Sequence, residues 1–200
     1  MTKPDGSSNA STGKLSGEAW VKSLSHEEKT VLAHWQTGGS SKIREGLLKN
    51  TLDPEVRAKI DAVNSALNKS APYEGECWRG MHDMDDFTFS QLAKSDVIEW
   101  ETFYSSSKSD RSAAKFLICK NRNLKSLMFR ITNKTGVDIS PASVREKSHE
   151  QEILLRPGTQ YRVVGRTTKT FTYVEANKVD NELRLTENTI ETLELSLEEI

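Results

Sequence analysis

The sequence predicts an α+β chain, with helices first and a mostly β half after them. Three observations carry that reading. Val56, Ile60, Val63 and Leu67 recur at helical spacing before residue 70. After Ser70-Ala71-Pro72 the pattern changes to short apolar runs separated by turn residues. Near the end, Leu193, Leu195 and Leu197 alternate as a strand does.

Taken in order, the residues justify each element. Residues 1–15 are rich in Ser, Gly, Asn, Lys and Thr without periodicity and read as a disordered arm or linker. Residues 16–200 read as a single domain, with a helical lead-in over 16–70 and a β-rich part over 71–200. Ser25 and Glu28 form a capping box ahead of Val31, Leu32 and Trp35, and Gly38-Gly39 ends that helix. Ser40 or Ser41 caps a short helix carrying Ile43, Leu47 and Leu48. Asp53-Pro54 opens a third. Trp20, Trp35 and these aliphatics are expected in the core.

In the second half, Glu76–Met81 is expected as a strand, Phe87–Lys94 as a short helix and Val97–Tyr104 as another strand. Ser109–Leu117 is helix-like, with Asp110 as its cap. Leu124–Ile131 is a strand that ends at the Asn133–Gly136 turn. A polar loop, Pro141–His149, leads to Glu150-Gln151-Glu152-Ile153-Leu154-Leu155, a buried strand bounded by Pro157-Gly158. Tyr161–Val164 and Thr170–Val174 read as a strand pair, with strand-like Leu183 and Leu185 beyond.

Composition excludes several classes. Lys+Arg total 28 and Asp+Glu 29 in 200 residues, a net charge of -1. Such a chain has no bulk attraction for nucleic acid or an anionic membrane, and neither is expected as a partner. Cys77 and Cys119 form no C-x-x-C pair, so zinc is not expected. Buried free thiols are the default, and the sequence leaves a single disulfide open. His26, His34 and His82 have no recurring metal spacing, and no metal is expected. No apolar segment reaches membrane-spanning length, and Met1–Gly13 lacks a signal-peptide pattern. The expectation is a soluble protein, cytosolic or exported by a route the sequence does not show.

Three polar signals remain. Arg79 stands in a strand of Cys, Trp and Met, where a charge is costly unless it meets an anion such as phosphate. Ser105-Ser106-Ser107 follows Phe103-Tyr104. Glu150 and Glu152 sit two apart at a strand entry, and strand alternation would point them the same way. Two like charges on one face repel unless a cation or a reacting group lies between them. Taken singly, each has a bland reading: a surface ion pair, a polar turn, a solvated acid pair.

In this order they resemble the R-S-E class of mono-ADP-ribosyltransferases, which includes clostridial toxins and vertebrate ecto-enzymes. The matches are Trp78-Arg79-Gly80, Phe103-Tyr104-Ser105-Ser106-Ser107 and Glu150-Gln151-Glu152-Ile153-Leu154-Leu155, with Ser106 where the family has Thr. Phe116 matches a family aromatic that packs on nicotinamide, and the resemblance spans roughly Tyr73 to Val164. It implies N-terminal helices on a mixed, mostly antiparallel β-sandwich. It also implies NAD as substrate without a metal, bound by Arg79, Gly80, Ser105, Ser106, Ser107, Phe116 and Glu152.

The implied catalytic set is Arg79, Ser105, Glu150 and Glu152. Arg79 would hold the pyrophosphate and Ser105 would orient Glu152. Glu152 would stabilise the oxocarbenium ion, and Glu150 would serve the acceptor. A Glu at position 150 goes with arginine acceptors in that family. The implied activity is transfer of ADP-ribose to an arginine of a target protein by a bacterial toxin or effector. An immunity protein would accompany it if the target were bacterial. The alternative is the same fold working as an NAD glycohydrolase or on nucleic acid. The Pro141–His149 loop would face the acceptor, with Arg145, Lys147 and His149 suited to an acidic surface or RNA, though a solvated loop is the plainer reading.

Overall fold

The structure is a computed structural model that describes residues 13–121, 123–144, 149–179 and 182–200. Arg145 and Lys147 of the polar loop, and most of the expected N-terminal arm, lie outside the described residues. Leu15, at the end of that arm, is held by the chain beyond α4: Ala71 donates to its carbonyl at 2.6 Å.

Four helices precede the sheet: α1 (Gly17–Ser23), α2 (His26–His34), α3 (Ser40–Leu48) and α4 (Pro54–Lys69). The Ser25/Glu28 capping box forms as the sequence predicts. Asp53 caps α4, with Pro54 at its first position. Trp20, Leu32, Trp35, Ile43, Val63 and Leu67 form one buried cluster under these helices. Leu48, expected in the core, is exposed because α3 turns only its Ile43 and Gly46 side fully inward.

The helix that runs through Trp35 ends at Gly38-Gly39 as expected, since Thr37 and Gly38 leave helical φ/ψ. The kink leads straight into α3, and neither Ser40 nor Ser41 caps it. Gly38 takes φ 109°, a conformation that a side chain would disfavour. This kink directly follows Trp35 and Gln36.

The sheet has eight strands in the order β2-β7-β8-β4-β1-β3-β6-β5. They are β1 (Gly75–Met84), β2 (Val97–Trp100), β3 (Tyr104–Ser107), β4 (Lys125–Asn133), β5 (Val137–Asp138), β6 (Glu152–Leu155), β7 (Thr159–Val179) and β8 (Glu182–Glu199). All pairs are antiparallel except β4 with β8. A single register pair, Trp78 with Ser107, joins β1 to β3. The two parts of the sheet close on each other across a core of Cys77, Phe129, Ile131 and Leu195 from one and Ile153 and Leu155 from the other. Leu154, on the opposite face of β6, packs under the helices.

Several boundaries differ from the expectation. Val97–Tyr104 is two strands, because Thr102 and Phe103 bury themselves while the chain crosses between the sheet parts. Ser105, Ser106 and Ser107 are strand residues, bonded to β6. Two short strands after Tyr161 become one long hairpin, since β7 and β8 pair from Tyr161/Glu199 out to Val179/Glu182. Ser109, not Asp110, caps α6 (Asp110–Ala114). The helix α5 (Asp86–Lys94) begins from an Asp85 cap. Both cysteines are free, Cys77 buried and Cys119 only partly so.

Two local constraints position the working parts. Glu28 is 4% exposed and ties α2 to α4. It accepts from Ser25 N, Ser65 Oγ and Lys69 Nζ, each at 2.7 Å. Burial pushes its carboxyl up, but these donors outweigh that and hold it at about 2. Gly80 lies where α6 crosses β1, and a Cβ built there would sit 2.4 Å from Ala113 O.

Replacing Glu28 by Gln keeps an acceptor at the cap and removes the charge opposite Lys69. It should lower unfolding free energy by about 1–3 kcal/mol at neutral pH. The folded carboxyl is depressed from 4.5 to about 2, so its contribution is complete above the unfolded value and lost as pH falls through the folded one. Urea denaturation of both proteins at stepped pH should therefore converge on acidification; divergence would refute the account. Gly80→Ala should cost about 1–3 kcal/mol by forcing backbone apart, read as a lower melting temperature.

Candidate active site

A cleft of about 780 Å³ opens where β1, β3, the start of β6, the Trp35–Gly39 kink and α6 meet. Arg79, Gly80, Ser105, Ser106, Ser107, Phe116, Glu150 and Glu152 all line it. The fold thus brings every sequence-predicted site residue to one cavity.

Arg79 shares a β1 face with Cys77, so it points into the space between the sheet parts. Its Nη1 donates to Ser105 O at 2.5 Å, and its Cζ lies 4.3 Å from the centroid of Tyr104. The cation–π contact holds the guanidinium against the ring. Burial and the neighbouring Arg44 guanidinium push Arg79 down to about 9, which leaves it protonated at neutral pH.

Glu152, the first residue of β6, is buried. Its Oε1 accepts from Ser105 Oγ and, at 3.0 Å, from Trp35 Nε1. Its Oε2 accepts from Gln36 Nε2 at 3.1 Å. Burial raises its carboxyl above the usual range, with Glu150 adding to the rise, while Ser105, Gln36 and Trp35 oppose it. When ionised, such a group is fixed in direction and short of solvation, suited to meet a cation.

Glu150 reaches the same cleft by a different route from the one expected. It precedes β6, and Gln151 takes φ 48° between the two acids. Strand alternation therefore does not align them; a left-handed backbone step does. Ser107 Oγ donates to Glu150 O at 2.6 Å and Lys108 N to Gln151 O at 3.1 Å, which hold the step in place. Ser106 Oγ donates to Ile153 O at 3.1 Å, so its hydroxyl braces β6 at the cleft wall. Phe116 follows α6 and is 50% exposed at the mouth.

Three contributors were not legible as such. Trp35 reads as a core residue, and it is buried, yet its indole N–H serves Glu152. Gln36 carries no motif. Arg44, on α3, lies with its Cζ 4.8 Å from the Tyr104 centroid and lines the cleft. The Nε atoms of Arg44 and Arg79 are buried without a hydrogen-bond partner. Two cations converging with unused donors make a place for a polyanion. The double glycine after Trp35-Gln36 was the one sequence signal of a special geometry there.

Among the described residues no group of three or more His, Cys, Asp and Glu could hold a metal ion, and no helix is long and apolar enough to cross a membrane.

Comparisons with known proteins agree with this geometry. The family model for the ADP-ribosyltransferase exoenzymes matches residues 11–193. A Mycobacterium avium (strain 104) protein, Mav, assigned as an NAD(+)–arginine ADP-ribosyltransferase, is 31% identical over 144 residues, 72% of this chain. The matched part is only 16% of that protein. The fold is similar to Vis from Vibrio splendidus, solved with agmatine (TM-score 0.65, 21% identity, 99% of this chain and 88% of that one). It is also similar to the enzymatic component C2-I of the Clostridium botulinum C2 toxin (TM-score 0.62, 20% identity, 90% of this chain and 45% of that one). With a cleft of this composition and a family match over nearly its whole length, the chain belongs to the ADP-ribosyltransferase exoenzyme family.

Proposed function

We propose that residues 16–200 act as one catalytic unit that cleaves NAD and transfers ADP-ribose to an arginine of a target protein, as a bacterial toxin or effector does. One observation carries the reading: the buried Glu152 carboxylate, held by Ser105, Trp35 and Gln36, shares a cleft with Glu150 and two guanidiniums. The likeness to Mav and the agmatine bound to Vis support an arginine-like acceptor.

The chain's own groups then divide the work. Arg79 and Arg44 offer buried N–H donors to the pyrophosphate of NAD. Phe116 offers a face to nicotinamide. The bond between nicotinamide nitrogen and ribose C1′ breaks, and its electron pair leaves with nicotinamide. Positive charge develops on the ribose, where the fixed Glu152 carboxylate stabilises it. An acceptor guanidinium nitrogen forms the new bond to C1′, and Glu150 takes the proton it loses. A donor-held anion needs no rearrangement as the charge appears, and that is its advantage over water.

The work site in this reading is a target cell reached by export, with a protein as partner. An immunity protein in the producer follows if that target cell is bacterial.

Glu152→Ala should reduce both NAD hydrolysis and transfer by about 100-fold or more, in line with loss of a transition-state charge. Glu150→Gln should abolish transfer to agmatine while NAD hydrolysis persists. Nicotinamide release and labelled ADP-ribose incorporation read the two reactions; full transfer by Glu152→Ala would overturn the assignment. Arg44→Ala should raise KM for NAD about 10-fold with a smaller change in kcat, the loss expected for a charged hydrogen bond to phosphate. A lysate product labelled from NAD that nuclease removes and protease spares would favour nucleic acid as the acceptor.

A further inference from the structure

We infer that Gln36 is a positioning residue that couples the chain on both sides of Glu150 to the carboxylate of Glu152. The inference rests on the reading of the two acids above and adds to it a part played by the helical lead-in.

One carboxamide makes three hydrogen bonds here. Its Nε2 donates to Ser143 Oγ at 2.8 Å and to Glu152 Oε2 at 3.1 Å. Its Oε1 accepts from Val144 N at 3.1 Å. A primary amide has two N–H groups and one carbonyl, and each is engaged. Ser143 and Val144 precede Glu150 in the chain and Glu152 follows it. Gln36 therefore ties Ser143 and Val144, before Glu150, to Glu152, after it. Ser107 and Lys108 hold the backbone between the acids, through Glu150 O and Gln151 O.

Trp35 and Gln36 lie just ahead of the kink. In an α-helix the residue after Trp35 lies about 100° around the axis from it. The backbone leaves the helix only at Thr37 (φ -105°) and Gly38 (φ 109°), so Trp35 and Gln36 reach Glu152 from adjacent sides of one helix end. Trp35 takes one carboxylate oxygen and Gln36 the other, so the plane of the carboxylate is set from the helical side. Only Gln36 also bonds the segment leading to Glu150.

A purely structural role would lower the melting temperature and scale both reactions together. A coupling role changes their ratio. The test uses the whole chain with NAD and agmatine, comparing wild type with Gln36→Met, which keeps length and loses all three bonds, and with Ser143→Ala, which removes one. For Gln36→Met, KM for NAD should stay within about 2-fold, because both guanidiniums are untouched. Its kcat for transfer should fall about 10-fold or more, and NAD hydrolysis should fall less, lowering the transfer-to-hydrolysis ratio about 5-fold. Ser143→Ala should lower transfer about 2-fold or more and leave hydrolysis unchanged. Equal loss of both reactions, or no loss, overturns the inference. If Gln36→Met does not fold, Ser143→Ala decides alone, and an unchanged ratio overturns it. Glu152→Gln serves as the control: retention of both reactions there refutes the underlying site reading, whereas their loss beside an unchanged ratio in Gln36→Met refutes the coupling only.

Discussion

A carboxylate taken out of water must be compensated by donors or it protonates, and Glu152 is the group under that demand. Its three donors come from separate stretches: Trp35 and Gln36 from the helical lead-in, Ser105 from β3. None of them is near Glu152 in sequence. The site therefore exists only when the helices, β3 and the start of β6 are docked together. That ties catalysis to the packing of residues 17–70, which by sequence motif alone look like a scaffold.

The same docking creates the cationic side of the cleft. Arg79 belongs to β1 and Arg44 to α3, yet both guanidiniums lie within 5 Å of the Tyr104 centroid. Two like charges would repel, and the lowered value of Arg79 reflects Arg44 after burial itself. The aromatic ring and the Glu152 anion offset part of that cost. A doubly negative ligand would offset more, so the arrangement is better satisfied with a pyrophosphate present than without one. The cleft opens beside the single register pair between β1 and β3.

Much of this was legible residue by residue. The Ser25/Glu28 box, the Asp53-Pro54 start and the apolar run after Glu152 follow from local chemistry, and each formed as expected. Legibility failed where a distant partner decided the outcome. Val97–Tyr104 looked continuous, but its halves pair with β7 and with β6 and β1. Glu150 and Glu152 converge, but through the left-handed Gln151 and not by pleating. Trp35 and Arg44 have ordinary helical spacing, and nothing in that spacing says which neighbour they meet.

By itself the sequence determined the α+β class, the helix starts, the absence of bulk charge and the ordered residues Arg79, Ser105, Glu150 and Glu152. These rest on local periodicity, capping chemistry and motif order, which are properties of neighbours along the chain. Only the tertiary structure decided that Trp35 and Gln36 complete the Glu152 site and that Arg44 joins Arg79. The contacts to Glu152 join residues more than a hundred positions apart, and all of these contacts are fixed by how helices seat on the sheet rather than by any local preference.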